Sequence, residues 1–202
     1  MAHYFTNDYV KSNREKIFVN MRGISFSFIT DGGVFSKKGL DFGTRSLLEN
    51  IDLNELSGDV LDFGCGYGPI GIFLKKGKNI NVDMIDINER ALELALLNAK
   101  LNDVSVNIFQ SNVYENVSKM YDAIVTNPPI RVGNEVLFKI LFGAYDHLRD
   151  GGCLWLVINK DQGAKTILKK LSEVYLTDVV CKNKGFYIIR AQKHWHLLCK
   201  HL

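Results

Sequence analysis

The sequence predicts an α/β protein with a Rossmann-like, doubly wound and mostly parallel sheet of seven strands, ending in an antiparallel C-terminal strand. Two observations carry this prediction. Short apolar runs alternate with amphipathic segments over most of the chain, which is typical of β-α-β units. The last two β-prone runs are joined too tightly for a crossover helix, so they must pair antiparallel.

The N-terminal part is predicted as an appendage to this sheet. The run KIFVNMRGISFSFIT holds two short β-prone stretches around Arg22-Gly23, which indicates a hairpin. DGGVFSKKGLDFGT is predicted as a loop, and Thr44 as the cap of the helix RSLLENI. We therefore divide the chain into a hairpin and loop extension, residues 1–43, and a main domain, residues 44–202.

The main domain is predicted from its alternating runs. The predicted strands are DVLDFG, NVDMIDI, VSVNIFQ, YDAIVTN and GCLWLVIN. The predicted helices are PIGIFLKKG, ERALELALLNAKLN, EVLFKILFGAYDHL and AKTILKKLSEVY. TDVVCKN and FYIIRAQ complete the sheet as two strands joined by the turn Lys184-Gly185.

Composition sets the broad class. A chain of 202 residues with 47% hydrophobic and 23% charged residues suits one globular domain, or one with a small appendage. The net charge of +3 permits a polyanionic partner without demanding one. The four cysteines form no C-x-x-C pair and lie mostly in apolar runs, so we expect buried free thiols. The polar N-terminus and the lack of a long apolar run predict a cytoplasmic protein without membrane contact.

A glycine-rich loop, LDFGCGYGPIG, follows the first strand of the main domain. Glycines allow positive φ and close approach of the backbone to a ligand. Gly66, Gly68 and Gly71 also satisfy the dinucleotide-binding spacing, so the glycines alone do not name the cofactor.

Two carboxylates narrow the choice of cofactor. Asp86 ends the second strand of the main domain and is placed to accept the ribose hydroxyls of an adenosine. Asp62 precedes the loop, where it would repel a pyrophosphate but suit a ligand carrying an ammonium and a sulfonium. S-adenosylmethionine carries both groups and is the predicted cofactor, the alternative being a solvated strand end at Asp62. The predicted cofactor-binding residues are Asp62, Gly64, Cys65, Gly66, Gly68, Asp86, Ile87, Asn112, Val113 and Asn127.

Asn112, in QSNVY, is predicted to reach the adenine edge by hydrogen bonding. A loop asparagine making a local turn explains the same residue nearly as well.

The stretch AIVTNPPIRVG ends the fourth strand of the main domain with two of the three prolines in the chain. Two prolines in series restrict Asn127 and Pro128 and withhold backbone N–H groups. The result is a rigid corner with two acceptors, the Asn127 side-chain oxygen and the Pro128 carbonyl, which fit a planar NH₂ group. Asn127, Pro128, Pro129 and Ile130 are therefore predicted to be catalytic, against the alternative that the prolines only end a strand.

These residues resemble the class I S-adenosylmethionine-dependent methyltransferases over about Thr44 to Gln192. GVFSKKGLDFGTRSLL, SNVY, NPPIRVG and GGCLWLVINKDQGAK together resemble the small-domain, RsmC-like rRNA guanine 2-amino methyltransferases. The resemblance implies that residues 44–202 form a methyltransferase domain. It also implies methyl transfer to the exocyclic 2-amino group of a guanine in small-subunit ribosomal RNA.

The chain departs from this family at Ile130, where an aromatic residue often stacks on the target base. Phe35 is the predicted substitute ring. The basic residues expected to hold RNA phosphates are Lys37, Lys38, Arg45 and Arg131. No metal is expected, since His194 and His196 lack metal-ligand spacing with any Cys pair.

Three other functions remain open at this point. Protein glutamine methyltransferases carry a similar Asn-Pro-Pro motif that usually ends in Tyr, so Ile130 counts against that class. DNA adenine methyltransferases usually need a target-recognition region, for which 202 residues leave no room. A non-catalytic binding module is disfavoured because Asp62, Asp86, Asn127 and Pro128 are all intact.

Overall fold

The computed structural model describes residues 12–32, 39–129 and 133–194. The strands are β1 (Glu15–Met21), β2 (Ile24–Thr30), β3 (Asp59–Phe63), β4 (Asn81–Asp86), β5 (Asn107–Gln110), β6 (Tyr121–Thr126), β7 (Leu148–Asn159), β8 (Tyr175–Asn183) and β9 (Phe186–Lys193). The α-helices are α1 (Phe42–Asn50), α2 (Pro69–Gly77), α3 (Glu89–Leu101), α4 (Asn134–His147) and α5 (Ala164–Leu171).

Strands β3 to β9 form one sheet of seven strands in the order β5-β4-β3-β6-β7-β9-β8. The five strands from β5 to β7 are parallel, and β9 pairs antiparallel with both β7 and β8. The predicted fold class is confirmed. In such a sheet, ligands bind beyond the carboxyl ends of the parallel strands, so those ends locate the site.

The turn between β8 and β9 explains the antiparallel end of the sheet. Lys184 and Gly185 have φ angles of 44° and 85°. Two consecutive residues with positive φ are the signature of a type I′ hairpin turn, whose twist matches that of the strands. The predicted turn at Lys184-Gly185 is confirmed, and it fixes Phe186 as the first residue of β9.

Helix α1 begins earlier than the sequence predicted. Its N-cap is Asp41, whose Oδ1 accepts a hydrogen bond from the Thr44 backbone N–H at 3.0 Å. The prediction of Thr44 as the cap was wrong, because a carboxylate three residues upstream takes the same backbone donor. Helix α5 ends at Leu171, before the predicted Tyr175, which is the first residue of β8.

The N-terminal hairpin of β1 and β2 is held by two asparagines of α3. The amide of Asn98 donates to the Ile29 carbonyl and accepts from the Ile29 N–H, at 2.9 and 2.7 Å. The amide of Asn102 does the same with Ser27, at 2.7 and 3.1 Å. These side chains satisfy the edge of β2 as a neighbouring strand would. Division of the chain at residue 43 remains a proposal, since the hairpin packs into the core of the main domain.

Helices cover both faces of the seven-stranded sheet. One core cluster joins the hairpin, α1, α2 and α3 to one face, and a second joins α4 and α5 to the other. Cys65, Cys153 and Cys181 are free thiols, of which the first two are buried, and Cys199 lies outside the described residues. Within the described ranges, none of the helices is long and apolar enough to cross a membrane.

Candidate active site

A cavity of about 460 Å³ lies over the carboxyl edge of the sheet, within the range usual for small-molecule sites. The segments that follow all five parallel strands converge on it, together with the start of α1 and the first residue of β9. The predicted site residues that line it are Gly64, Cys65, Gly66, Asp86, Ile87, Asn112, Val113, Asn127, Pro128 and Pro129. The structure therefore brings together most of the predicted cofactor-binding residues and three of the four predicted catalytic ones.

The glycines of the loop between β3 and α2 have two different roles. At Gly64 and Gly66, with φ of 69° and 55°, an added Cβ would meet nothing within 4 Å. These positions need glycine for backbone conformation and leave open space beside the cavity. At Gly71 an added Cβ would lie 2.6 Å from Met84 Cγ, so this glycine allows α2 to pack closely on β4. Gly68, the N-cap of α2, is likewise packed against Met84 and does not line the cavity.

Asp86 ends β4 and fixes the neighbouring loop. One carboxylate oxygen accepts the Gly66 N–H and the other accepts the Asn88 N–H, both at 2.9 Å. Burial raises the pKa of Asp86, while these backbone hydrogen bonds oppose the rise. The Ile87 N–H is a third backbone donor to this carboxylate. A carboxylate has about four acceptor sites, so Asp86 can still accept a hydroxyl group from a ligand.

Asp62 lies behind the glycine loop and does not line the cavity. Its side chain is fully buried, and Oδ2 accepts the Gly71 N–H at 2.8 Å. No described residue bonds to Oδ1. Burial raises the pKa of Asp62 to about 8, against the hydrogen bond from Gly71. A direct contact of Asp62 with a cationic ligand, as predicted from the sequence, stays a prediction.

The raised pKa of Asp62 predicts how stability depends on pH. The folded pKa of about 8 exceeds the ordinary value of 3.8. The contribution of Asp62 to the free energy of unfolding is therefore fully present below pH 3.8 and is lost as pH rises through 8. The free energy of unfolding should therefore fall as pH rises from about 5 to 8, and Asp62→Asn should flatten that fall. Urea denaturation at several pH values measures both slopes. Exposed Asp150→Asn is the control and should follow the wild type. An unchanged slope in Asp62→Asn would contradict a protonated Asp62.

The loop after β5 supplies Ser111, Asn112 and Val113. Val113 has a φ of 50°, which is rare for a β-branched residue, and Ser111 Oγ donates to its carbonyl at 3.0 Å. Asn112 Nδ2 donates to Glu115 Oε1 at 2.8 Å, which is the local role that the sequence left open. Its predicted contact with adenine stays a prediction.

The Asn127 amide is held by the start of α1. Its Nδ2 donates to Thr44 Oγ1 at 2.9 Å and to Asp41 Oδ1 at 3.2 Å. Among the described residues, none donates to the Asn127 Oδ1 or to the Pro128 carbonyl. Asn127 and Pro128 both line the cavity, so the two oxygens predicted as acceptors belong to cavity residues and have no donor among the described residues. The partners of Nδ2 set the orientation of the amide.

Five predicted residues lie outside the described part of the chain: Phe35, Lys37, Lys38, Ile130 and Arg131. Arg45 is described, but its guanidinium donates to the Asn20 carbonyl at 3.3 Å and pairs with Glu49 at 3.5 Å. It does not line the cavity. Among the described residues, no group of three or more His, Cys, Asp or Glu side chains could hold a metal ion.

Sequence reasoning missed several residues that line the cavity, including Asp41, Phe42, Thr44, Tyr67 and Phe186. The segment LDFGT contains three of them, and its pattern predicts only a loop and a helix cap. No sequence pattern indicated that Phe186 lines the cavity, because it begins a strand that is distant in the chain from the other lining residues.

A sheet of this order with a cavity over its carboxyl edge is the arrangement of Rossmann-like methyltransferases. T. thermophilus 16S rRNA N2 G1207 methyltransferase (RsmC), solved in complex with AdoMet and guanosine, shares this fold. The two structures superpose with a TM-score of 0.80 and are 24% identical in sequence. The match covers 90% of this chain and 51% of the other chain. The chain belongs to the methyltransferase small domain family, which it matches over residues 25–190. The predicted recognition is confirmed, and the predicted S-adenosylmethionine cofactor agrees with a neighbour of the same fold that binds it.

Two relatives in sequence differ in how much of their own length this chain covers. The uncharacterized protein YbxB of Bacillus subtilis (strain 168) is 44% identical over 197 residues, covering 95% of this chain and 98% of its own. Ribosomal RNA small subunit methyltransferase C of Colwellia psychrerythraea is 34% identical over 183 residues, covering 88% of this chain and 50% of its own. The chain thus spans about half the length of the rRNA methyltransferases that it matches.

Proposed function

We propose that this protein transfers a methyl group from S-adenosylmethionine to the exocyclic 2-amino group of a guanine in small-subunit ribosomal RNA. The observation that carries the proposal is the Asn127 amide at the cavity, whose NH₂ is engaged by Thr44 and Asp41 while its oxygen has no donor among the described residues. The relatives named as small-subunit rRNA methyltransferases support the choice of RNA. The proposal places the protein in the cytoplasm, where ribosomal subunits assemble.

The cavity fits the methyl donor. Its volume of about 460 Å³ suits a nucleoside-sized ligand with room for a second group. Gly64 and Gly66 leave the loop backbone open to a ligand, and Asp86 keeps acceptor capacity for ribose hydroxyls. When bound, S-adenosylmethionine supplies an electrophilic methyl group on a sulfonium.

The Asn-Pro-Pro corner would act by position. The Asn127 oxygen and the Pro128 carbonyl would accept the two N–H groups of the guanine amine, which holds its nitrogen lone pair toward the methyl group. An N–C bond would form as the S–C bond breaks, and the amine would then lose a proton to water, because that proton becomes acidic only as the N–C bond forms. Fixed acceptors therefore suffice, and no strong general base is required.

Tritiated methyl donor with small ribosomal subunits and with separated rRNA, followed by nucleoside analysis, tests this function. We expect label in 2-methylguanosine, formed about 10²- to 10³-fold more slowly by the Asn127→Ala variant. Label confined to protein would indicate glutamine methylation instead. Absence of label in RNA from every assembly state would leave the non-catalytic binding module as the explanation.

Tyr67 gives a separate prediction about donor affinity. It lines the cavity, is 2% exposed, and its hydroxyl has no partner among the described residues. A buried hydroxyl without a partner is unfavourable, so we expect a ligand in the cavity to bond with it. Tyr67→Phe should weaken S-adenosylhomocysteine binding by about fivefold to tenfold, without lowering thermal stability.

Calorimetric titration and a thermal melt of the same samples measure this effect. Tyr187→Phe, which changes a half-buried tyrosine outside the cavity lining, is the matched control. Equal affinities of Tyr67→Phe and wild type would place the hydroxyl outside the donor site.

A further inference from the structure

Two phenylalanine rings form part of the cavity wall beside the Asn127 corner. Phe42 begins α1 next to Asp41, and Phe186 begins β9. Their ring centroids are 5.5 Å apart, with 49° between the planes. An added Cβ on Gly43 would lie only 3.0 Å from Phe186 Cε1, so the absence of a side chain there lets the ring sit against α1.

The rings lie in the same cavity wall as the Asn127 corner. Asp41, the neighbour of Phe42, bonds directly to the amide that we propose holds the base. Base stacking on aromatic rings tolerates any sequence, since every base has a π-face.

Two exposed lysines lie beside the rings. Lys184 Nζ is 5.1 Å from the Phe42 ring centroid. The Lys160 N–H donates to the Gly185 carbonyl at 2.7 Å, and the Lys160 side-chain stem lies within 3.5 Å of the space a Gly185 Cβ would fill. Within the described ranges, neither ammonium lies within 4 Å of a carboxylate, whereas Lys119 and Lys139 do pair with carboxylates. The two ammonium groups beside the rings thus have no carboxylate partner among the described residues and can bind an anion.

We infer that Phe42 and Phe186 form a stacking platform for an extruded base of single-stranded RNA, with Lys184 and Lys160 contacting its flanking phosphates. Rings and cations side by side match the two parts of a nucleotide, the base and the phosphate. A protein glutamine side chain offers neither a flat ring nor an anion, which favours RNA. The inference rests on the proposed function for the identity of the base, but not for the contact itself.

Binding of a short, fluorescein-labelled, uridine-rich RNA containing one guanosine tests the platform, with saturating S-adenosylhomocysteine and fluorescence anisotropy as the measurement. Phe186→Leu should weaken RNA binding by about tenfold, and Phe186→Tyr, which keeps the ring, should bind nearly as wild type. The affinity for S-adenosylhomocysteine should stay the same in both. Phe18→Leu, at a phenylalanine that is 76% exposed on the hairpin, is the control and should have no effect.

The salt dependence of the same binding tests the lysines. Lys184→Gln should reduce the slope of log affinity against log salt by about one, because one phosphate contact is lost. Lys100→Gln, at the end of α3 on the opposite edge of the sheet, should leave the slope unchanged.

The outcomes separate this inference from the proposed function. If the wild type methylates RNA while Phe186→Leu binds RNA as the wild type does, the platform is wrong and the function stands. If the wild type forms no 2-methylguanosine but binds RNA through Phe186, the function fails and the platform stands. Equal weakening by Phe186→Leu and Phe186→Tyr would also overturn the platform, since it would show a packing role.

Discussion

Asn127→Ala should lower kcat by about 10²- to 10³-fold while changing the affinity for S-adenosylhomocysteine by less than about tenfold. The substitution removes the acceptor oxygen that we propose orients the amine of the target base. That oxygen acts on the acceptor substrate, so donor binding should largely survive. Single-turnover methylation of small ribosomal subunits gives the rate, and calorimetry gives the affinity.

A loss of donor affinity as large as the loss in rate would count against this role. It would mean that Asn127 keeps the cavity in shape, through Thr44 and Asp41, rather than acting on the substrate. Asn134→Ala, at an exposed residue that begins α4, is the matched control and should retain wild-type rate.

Thr44→Val should lower kcat by about 30-fold. Thr44 Oγ1 accepts from Asn127 Nδ2 at 2.9 Å, and valine has the same shape without the acceptor. Loss of a partner for a buried donor costs roughly 1–3 kcal/mol, and about 2 kcal/mol corresponds to 30-fold. The amide is then held by Asp41 Oδ1 alone, so it turns over more readily and presents its NH₂ to the cavity, where it opposes the N–H groups of the substrate.

Three measurements distinguish positioning from general damage. Thr44→Ser keeps the hydroxyl and should recover most of the rate. Adding Thr44→Val to Asn127→Ala should lower kcat no further, because the amide is already gone. Thermal stability should change little, since the α1 cap uses the Thr44 backbone N–H. Additive losses in the double variant would show that Thr44 acts independently of Asn127.

The fold was readable from the sequence because local patterns determine most of it. Alternating apolar runs and amphipathic helices give a parallel sheet, and two residues between the last strands leave only an antiparallel hairpin. Two predicted helix boundaries, the start of α1 and the end of α5, were wrong because other contacts compete at those positions. Asp41, not Thr44, is the N-cap of α1, and Tyr175 is the first residue of β8 instead of the last residue of α5.

The hairpin shows how distant residues decide what a local pattern cannot. Its β-prone runs and turn were predicted, but its docking depends on Asn98 and Asn102 of α3. Two asparagines in a helix carry no sequence signal for pairing with a strand edge. Only the packing of β2 against α3 shows that these amides replace a neighbouring strand.

The sequence by itself determined which chemical groups reach the carboxyl edge of the sheet: the glycine loop, Asp86 and the Asn-Pro-Pro corner each end or follow a predicted strand. The tertiary structure alone decided how those groups are oriented and charged. The Asn127 amide is fixed by Asp41 and Thr44, which are 86 and 83 residues away in the chain. Burial raises the pKa of Asp62 to about 8, and the Asp62 side chain lies behind the glycine loop instead of lining the cavity. Orientation and protonation depend on neighbours in space, and strand periodicity does not specify which distant residues those will be.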